Sequence, residues 1–128
     1  MAVRRSKRLA FAHQSLDGFP LEFNRGWDQI VIDLANELDE IAPGWKPTQI
    51  KEKFGVLRFY WELSEEALDR AEDAIRRAED AIRRAEDRSA VTCEMCGEPG
   101  SLRGKSWVMT LCDEHGIRYD RGELMREE

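Results

Sequence analysis

The sequence from Cys93 to His115 reads CEMCGEPGSLRGKSWVMTLCDEH, and it contains three cysteines and one histidine, which are typical zinc ligands. They come in two pairs, Cys93 with Cys96 and Cys112 with His115, and two residues separate the members of each pair. Such spacing lets both members reach one ion from a tight turn, and the fifteen residues between the pairs are typical of a structural zinc site. Three thiolates and one imidazole complete a tetrahedron. We therefore expect a structural Zn2+ as the cofactor rather than a catalytic ion.

Residues 90–128 are predicted to form a zinc-finger module and tail, similar to a zinc ribbon or a treble clef. Trp107, Met109 and Leu111 alternate as one face of a strand that leads into the second ligand pair. So short a segment has too little apolar area to offset its conformational entropy, and its folding should therefore depend on the metal. We expect metal removal to unfold this module and to leave the rest of the chain largely intact.

Residues 26–63 combine one helical pattern with one strand pattern. Apolar residues recur at helical spacing from Trp27 to Ile41, and a proline-glycine pair then ends the helix. From Lys46 to Leu63 the apolar period changes to two, which is typical of β-strands. The expected fold class is therefore α+β, with a helix packed on the apolar face of a β-hairpin.

The position of the hairpin turn decides which residues face one another. If Phe54 and Gly55 form the turn, Ile50 lies opposite Phe59 on an apolar face. The other face then carries a candidate ligand-binding or partner-binding set, whose members are Lys51, Lys53, Arg58 and Tyr60. Basic groups of this kind bind phosphate, and a phenol ring stacks on a base. An ordinary solvated hairpin face gives the same pattern, so both interpretations stay open.

The segment 64–89 has the most regular pattern, because RAEDAIR at 70–76 is repeated at 77–83. Its apolar residues alternate in steps of three and four, as in a coiled-coil seam. The candidate self-association seam consists of Leu68, Ala71, Ile75, Ala78, Ile82 and Ala85. We expect one long heptad-repeat helix that binds a second copy of the chain, giving a homo-oligomer, or a partner helix. The alternative is a solvated spacer helix.

Charge is unevenly distributed along the 128 residues. The formal net charge is −6, yet four of the 20 basic residues lie within the first eight positions. Residues 1–25 are therefore predicted to form a basic N-terminal arm, which either aids solubility or contacts an anionic partner. The acidic remainder gives no support for general DNA binding.

Several function classes are disfavoured by the sequence. It has no run of roughly 18 uncharged apolar residues, so we expect no membrane-spanning helix, and it lacks the apolar run of a secretory signal. Its three clustered cysteines argue against a disulfide framework, which fits a cytoplasmic location. The other histidine, His13, is expected to be solvated, and no nucleophile is paired with an available histidine. We therefore expect no enzymatic activity.

Two motifs, KEKFGVLRFYW at 51–61 and CEMCGEPGSLRGKSWVMTLCDEH at 93–115, together resemble small proteins of unassigned function from bacteriophages and prophage-carrying bacteria. The resemblance covers about half of the chain, and the heptad repeat lies between its two blocks like an insert. It implies a phage or prophage accessory protein in the host cytoplasm, and it supplies no activity.

These observations together predict a non-enzymatic zinc-binding interaction or regulatory protein that binds a host macromolecule, such as a host protein. The alternative is a nucleotide- or nucleic-acid-binding protein that uses the basic and aromatic hairpin face. The salt dependence of the binding affinity distinguishes the two hypotheses, because binding to phosphates weakens steeply as the salt concentration rises.

Overall fold

The structure is a computed structural model that describes residues 8–68 and 71–124. In chain order its elements are β1 Leu21–Glu22, α1 Asp28–Ile41, β2 Lys46–Lys53, β3 Val56–Glu62, α2 Glu65–Leu68, α3 Glu72–Ser89, β4 Ser101–Arg103, β5 Met109–Leu111 and α4 Asp113–Asp120. The strands form two small sheets, one ordered β1-β2-β3 and the other β4-β5. The protein is therefore a mixed α+β protein, as the sequence predicts.

Parts of three sequence predictions lie outside these described ranges, including positions 69 and 70 of the heptad-repeat segment 64–89. Arg4, Arg5 and Lys7, on which the expected basic arm depends, precede the first described residue, and the end of the tail at 125–128 follows the last one. Within 8–68 and 71–124, no helix combines the length and the apolar character needed to cross a bilayer.

The β2-β3 hairpin has the predicted register. Ile50 lies opposite Phe59 and Lys51 opposite Arg58. Both turn residues have positive φ, +55° at Phe54 and +81° at Gly55, as a two-residue type I′ turn requires. Glycine adopts this conformation freely, whereas a phenylalanine there is strained.

The main core lies between α1, the apolar hairpin face and α3. The stripe of α1 predicted from its helical period is buried in this core together with the hairpin residues that face it. Its largest members include Trp27, Ile30, Leu34, Leu38, Ile50, Leu57 and Phe59. This packing of a helix on a hairpin fixes the turn at Phe54 relative to the start of α1.

The chain from Arg8 onward packs on the core, although the sequence predicts an arm over 1–25. Ala10, Leu16 and Phe23 are buried. Arg8 is buried as well, and its guanidinium bonds both carboxylate oxygens of Asp28 at 2.6 and 3.0 Å. This ion pair ties the segment to the first residue of α1, and no periodic pattern in the sequence marks it.

The expectation of one long heptad-repeat helix over 64–89 is corrected by the structure. Helix α3 begins at Glu72, because the preceding Ala71 has a non-helical φ of −118°. The apolar stripe of α3 packs within the same chain, against α1 and β3. Its buried members are Ala78, Ala81, Ile82 and Ala85. Heptad spacing alone does not reveal whether a stripe faces another chain or its own core.

Two arginines that follow the repeat on α3 form ion pairs within the chain. Arg84 pairs with Glu37 at 2.9 Å, and Arg88 pairs with Asp33 at 2.9 Å. Both acidic partners lie on α1, so these arginines flank the contact between the two helices. Association of copies through the remaining seam residues Leu68, Ala71 and Ile75 stays a prediction.

Two polar side chains of α3 hydrogen-bond the outer edge of β3. The backbone N–H of Leu57 donates to Ser89 Oγ at 2.9 Å, and that of Phe59 donates to Glu86 Oε2 at 3.2 Å. Because β3 is the last strand of its sheet, these side chains replace a neighbouring strand as acceptors.

Candidate metal centre

Two tight turns position the four predicted ligands. Cys93 and Cys96 lie in a turn after α3, which the bond from Gly97 N–H to the Cys93 carbonyl closes at 2.9 Å. Cys112 follows β5 as the N-cap of α4, and its sulfur accepts the backbone N–H of His115 at 3.4 Å. The antiparallel β4-β5 hairpin between the turns reverses the chain direction, and the two ligand pairs therefore face each other.

The four ligand atoms all lie within 4.8 Å of one another. Cys96 Sγ is 3.8 Å from Cys112 Sγ, and the Nδ1 atom of His115 is 3.6 Å from Cys93 Sγ and 3.2 Å from Cys112 Sγ. A tetrahedral zinc ion, with Zn–S near 2.3 Å and Zn–N near 2.0 Å, places sulfurs about 3.8 Å apart and sulfur about 3.5 Å from nitrogen. The donor set therefore fits zinc in both chemistry and dimensions.

Two thiols of the cluster have shifted pKa values in the absence of a metal charge. Burial raises the pKa of Cys96 to about 12, and the neighbouring Cys93 and Cys112 thiols add to this effect against a backbone hydrogen bond at Glu98. Burial also acts to raise the pKa of Cys112, but hydrogen bonds from His115 and from the other two thiols outweigh it and lower the pKa to about 7. The Cys112 thiol therefore ionises more readily than an ordinary cysteine.

The turn that carries Cys93 and Cys96, which we call the metal loop, is hydrogen-bonded to the segment that leads into α1. The carbonyl oxygen of Glu94 accepts the N–H of Gly26 at 2.7 Å, and its carboxylate accepts the N–H of Asn24 at 3.1 Å. The indole N–H of Trp27 donates to the carbonyl of Thr92 at 2.8 Å. A Cβ atom at Gly26 would overlap the carbonyl oxygens of Cys93 and Glu94, so only glycine allows this close approach. The sequence alone gave no signal for these contacts.

A second contact joins the finger to the main hairpin turn. Thr110 Oγ1 donates to the carbonyl of Gly55 at 2.7 Å, and Leu102 packs so close to Gly55 that a Cβ there would lie 2.5 Å from it. Three large apolar side chains of the two hairpins and the β4-β5 loop are exposed: Phe54 at 72%, Leu102 at 58% and Trp107 at 61%. We call these three residues the tip surface.

Some members of the candidate binding set on the hairpin, Lys51, Lys53, Arg58 and Tyr60, already make contacts within the chain. Lys51 lies opposite Arg58, and Tyr60 is exposed. Arg58 Nη1 lies 3.8 Å from Glu86 Oε1, so its charge is partly balanced within the chain. Lys53 Nζ lies 5.8 Å from the centre of the Phe54 ring. The structure therefore places a basic and aromatic face beside the tip surface.

The expectation that His13 is solvated is wrong. Its side chain is only 8% exposed, and Nε2 lies 2.8 Å from Asp39 Oδ2. Its Nδ1 accepts the backbone N–H of Ser15 at 3.0 Å. Asp39 is 26 positions away on the polar flank of α1, and the sequence pattern contains no signal that relates the two residues.

Comparison of the chain with protein-family models, curated proteins and solved structures returned no match. The resemblance to phage and prophage proteins therefore receives no support from relatives and stays a prediction. The functional conclusions below depend on the geometry of the chain itself.

Proposed function

We propose that this chain is a non-enzymatic, zinc-structured interaction protein whose tip surface binds a macromolecular partner, in a phage setting a protein of the host. The observation that carries the proposal is the cluster of four ligand atoms within 4.8 Å of one another, an arrangement that can surround one ion with protein donors. A zinc ion with four protein ligands has no open position for water or substrate, and its role is to stabilise structure.

The histidines also support a binding role. His115 belongs to the metal cluster, and His13 uses one ring nitrogen to accept from Ser15 and the other to contact Asp39. A general base needs a nitrogen that is free to take a proton from a substrate. Both histidines of the sequence are thus engaged in contacts within the chain.

The tip surface is the strongest candidate for the partner contact. Phe54 combines a strained backbone, with φ at +55°, and a side chain exposed to 72%. Neither property stabilises the fold, and residues that keep strain of this kind are concentrated at functional sites. Leu102 and Trp107 are exposed apolar side chains of the zinc-finger module, whose folding we expect to depend on the metal.

Photocrosslinking in bacterial cells tests this proposal. A benzophenone amino acid at position 107 should yield protein adducts that decrease strongly when Phe54→Asn or Leu102→Ser is added. The same probe at Glu40, an exposed residue of α1, is the matched control and should yield few adducts. Equal adduct yields at positions 107 and 40 would contradict the proposal. An adduct yield at position 107 that neither substitution lowers would contradict it as well.

A second candidate is binding of a nucleotide or a single-stranded nucleic acid. The cross-strand pair of Lys51 and Arg58 beside the exposed ring of Tyr60 favours it, because phosphate contacts and base stacking need such groups. Affinity for a labelled oligonucleotide would then weaken steeply with salt and decrease upon Arg58→Ala. Nucleic-acid adducts in the crosslinking experiment would likewise favour this candidate over a protein partner.

A further inference from the structure

A large open cavity is formed by residues 12–47, well before the metal ligands in the sequence. Its volume is about 1040 Å³, and it is formed by the segment around His13, the second half of α1 and the loop from Pro43 to Pro47. Its apolar walls include Phe19, Ile32 and Trp45. Cavities of this size and composition bind small organic groups in many proteins.

One carboxylate, that of Asp39, lines this cavity and is held from two sides. Trp45 Nε1 donates to Oδ1 at 2.8 Å, and His13 Nε2 lies 2.8 Å from Oδ2. Because His13 Nδ1 accepts the N–H of Ser15, the single ring proton is on Nε2 and is donated to Asp39. Two neutral donors therefore orient the carboxylate without cancelling its negative charge.

The charge of Asp39 is not balanced by a basic side chain of the described chain. Among residues 8–68 and 71–124, no lysine or arginine forms an ion pair with Asp39, and Lys46, which also lines the cavity, is exposed. The Asp39 side chain is 49% exposed. Each carboxylate oxygen has a second lone pair beyond the one that His13 or Trp45 uses.

From this arrangement we propose that the cavity binds an organic cation, a guanidinium group on an apolar stem, through Asp39. A guanidinium matches a carboxylate with two donors in a fixed geometry, and its methylene stem packs on apolar walls such as Phe19 and Ile32. Both nitrogens of His13 are engaged, so the site orients a ligand and transfers no proton. The proposal goes beyond the zinc-dependent interaction role and does not depend on it.

The test uses zinc-loaded full-length protein labelled with 15N and two matched probes. N-acetyl-arginine methylamide should shift the indole N–H resonance of Trp45 and the resonances of residues 13–19 in a saturable manner. The citrulline analogue, which has the same shape without the charge, should bind at least tenfold more weakly. Asp39→Asn should weaken binding of the arginine probe by roughly 10- to 100-fold, because a charge-assisted hydrogen bond is lost. Glu40→Gln, the adjacent exposed acid, should leave the affinity unchanged.

A second variant keeps the test decisive if Asp39→Asn disturbs folding. Asn36 also lines the cavity, three residues before Asp39 on α1, and Asn36→Asp should strengthen binding of the arginine probe by adding a second carboxylate. Equal shifts with the citrulline analogue, no saturable shift at all, or unchanged affinity in both variants would overturn the proposal. None of these outcomes affects the proposed role of the tip surface, which is tested separately by crosslinking from position 107 with substitutions at positions 54 and 102.

Discussion

The carbonyl oxygen of Glu94 accepts the backbone N–H of Gly26 at 2.7 Å. Glu94 lies between two metal ligands, and Gly26 lies two residues before α1. The metal loop and the main core therefore share a backbone hydrogen bond, with the indole of Trp27 and the carbonyl of Thr92 beside it. This connection changes the expectation that the finger unfolds on its own when zinc is removed.

Metal removal should destabilise the whole chain. We expect a chelator to lower the midpoint of thermal unfolding by more than about 10 °C, since several kcal/mol of metal-binding free energy are lost. The indole N–H resonance of Trp27, which depends on the bond to Thr92, should shift at the same time. Resonance changes confined to residues 90–124 would instead show that the finger is independent.

Gly26→Ala should weaken both the fold and the metal site. The added methyl group would overlap the carbonyl oxygens of Cys93 and Glu94, and we expect a loss of at least about 2 kcal/mol in the free energy of unfolding. Zinc affinity, measured by competition with a colorimetric chelator, should fall as well. Gly18→Ala is the control, because Gly18 has a φ of +78° and open space around it. It should lower stability by about 1 kcal/mol through its backbone and leave zinc affinity unchanged.

Phe54→Asn should make the protein more stable. Asparagine before glycine is a preferred type I′ turn, so the substitution relieves strain at the φ of +55°. We expect the free energy of unfolding, measured with urea, to rise by about 0.5–1 kcal/mol. Phe54→Ala keeps the backbone strain while removing the ring, so it should show no gain. A loss in Phe54→Asn would mean that the ring contributes to folding.

The metal-free protein should show an unusual order of thiol reactivity. The lowered pKa of Cys112, about 7, makes it a thiolate above neutral pH, whereas the raised pKa of Cys96, about 12, keeps that thiol protonated. At pH 7.5 we expect alkylation of Cys112 to be roughly 100-fold faster, even though Cys96 is the more exposed residue. Mass spectrometry of alkylated peptides measures both rates, and zinc should suppress both.

The sign of the pH dependence follows from the same shift. The pKa of Cys112 lies below its ordinary value of 9.0. Its thiolate therefore stabilises the metal-free fold, and this contribution is complete above about pH 9. This contribution is lost as the pH falls through about 7. Faster reaction of Cys96 than of Cys112, or a Cys112 rate that does not decrease below pH 7, would contradict the assignment.

The features that could be predicted from sequence are those with a local signal. The period of two and the Phe54-Gly55 turn predicted the register that pairs Ile50 with Phe59. The two-residue spacing within Cys93-Cys96 and Cys112-His115 predicted the residues that the structure brings together. In both cases the residues that decide the structure lie within a few positions of one another.

The features that sequence reasoning missed depend on contacts between distant segments. The stripe on α3 has heptad spacing, but its period does not show that Ala78 and Ile82 pack on α1 of the same chain. The pairing of His13 with Asp39 and the docking of Gly26 on Glu94 join residues far apart in sequence. Such contacts follow from tertiary packing, and the spacing of residues in one chain does not encode them directly.

The hydrogen bonds from Leu57 to Ser89 and from Phe59 to Glu86 also bear on aggregation. An uncovered outer strand offers a row of amides to which strands of other molecules can add, and fibrils grow in this way. Helix α3 binds two of those amides on β3, at Leu57 and Phe59, and β1 at the opposite border of the sheet is only two residues long. We therefore expect Glu86 and Ser89 to hinder the addition of a strand from another molecule at this edge.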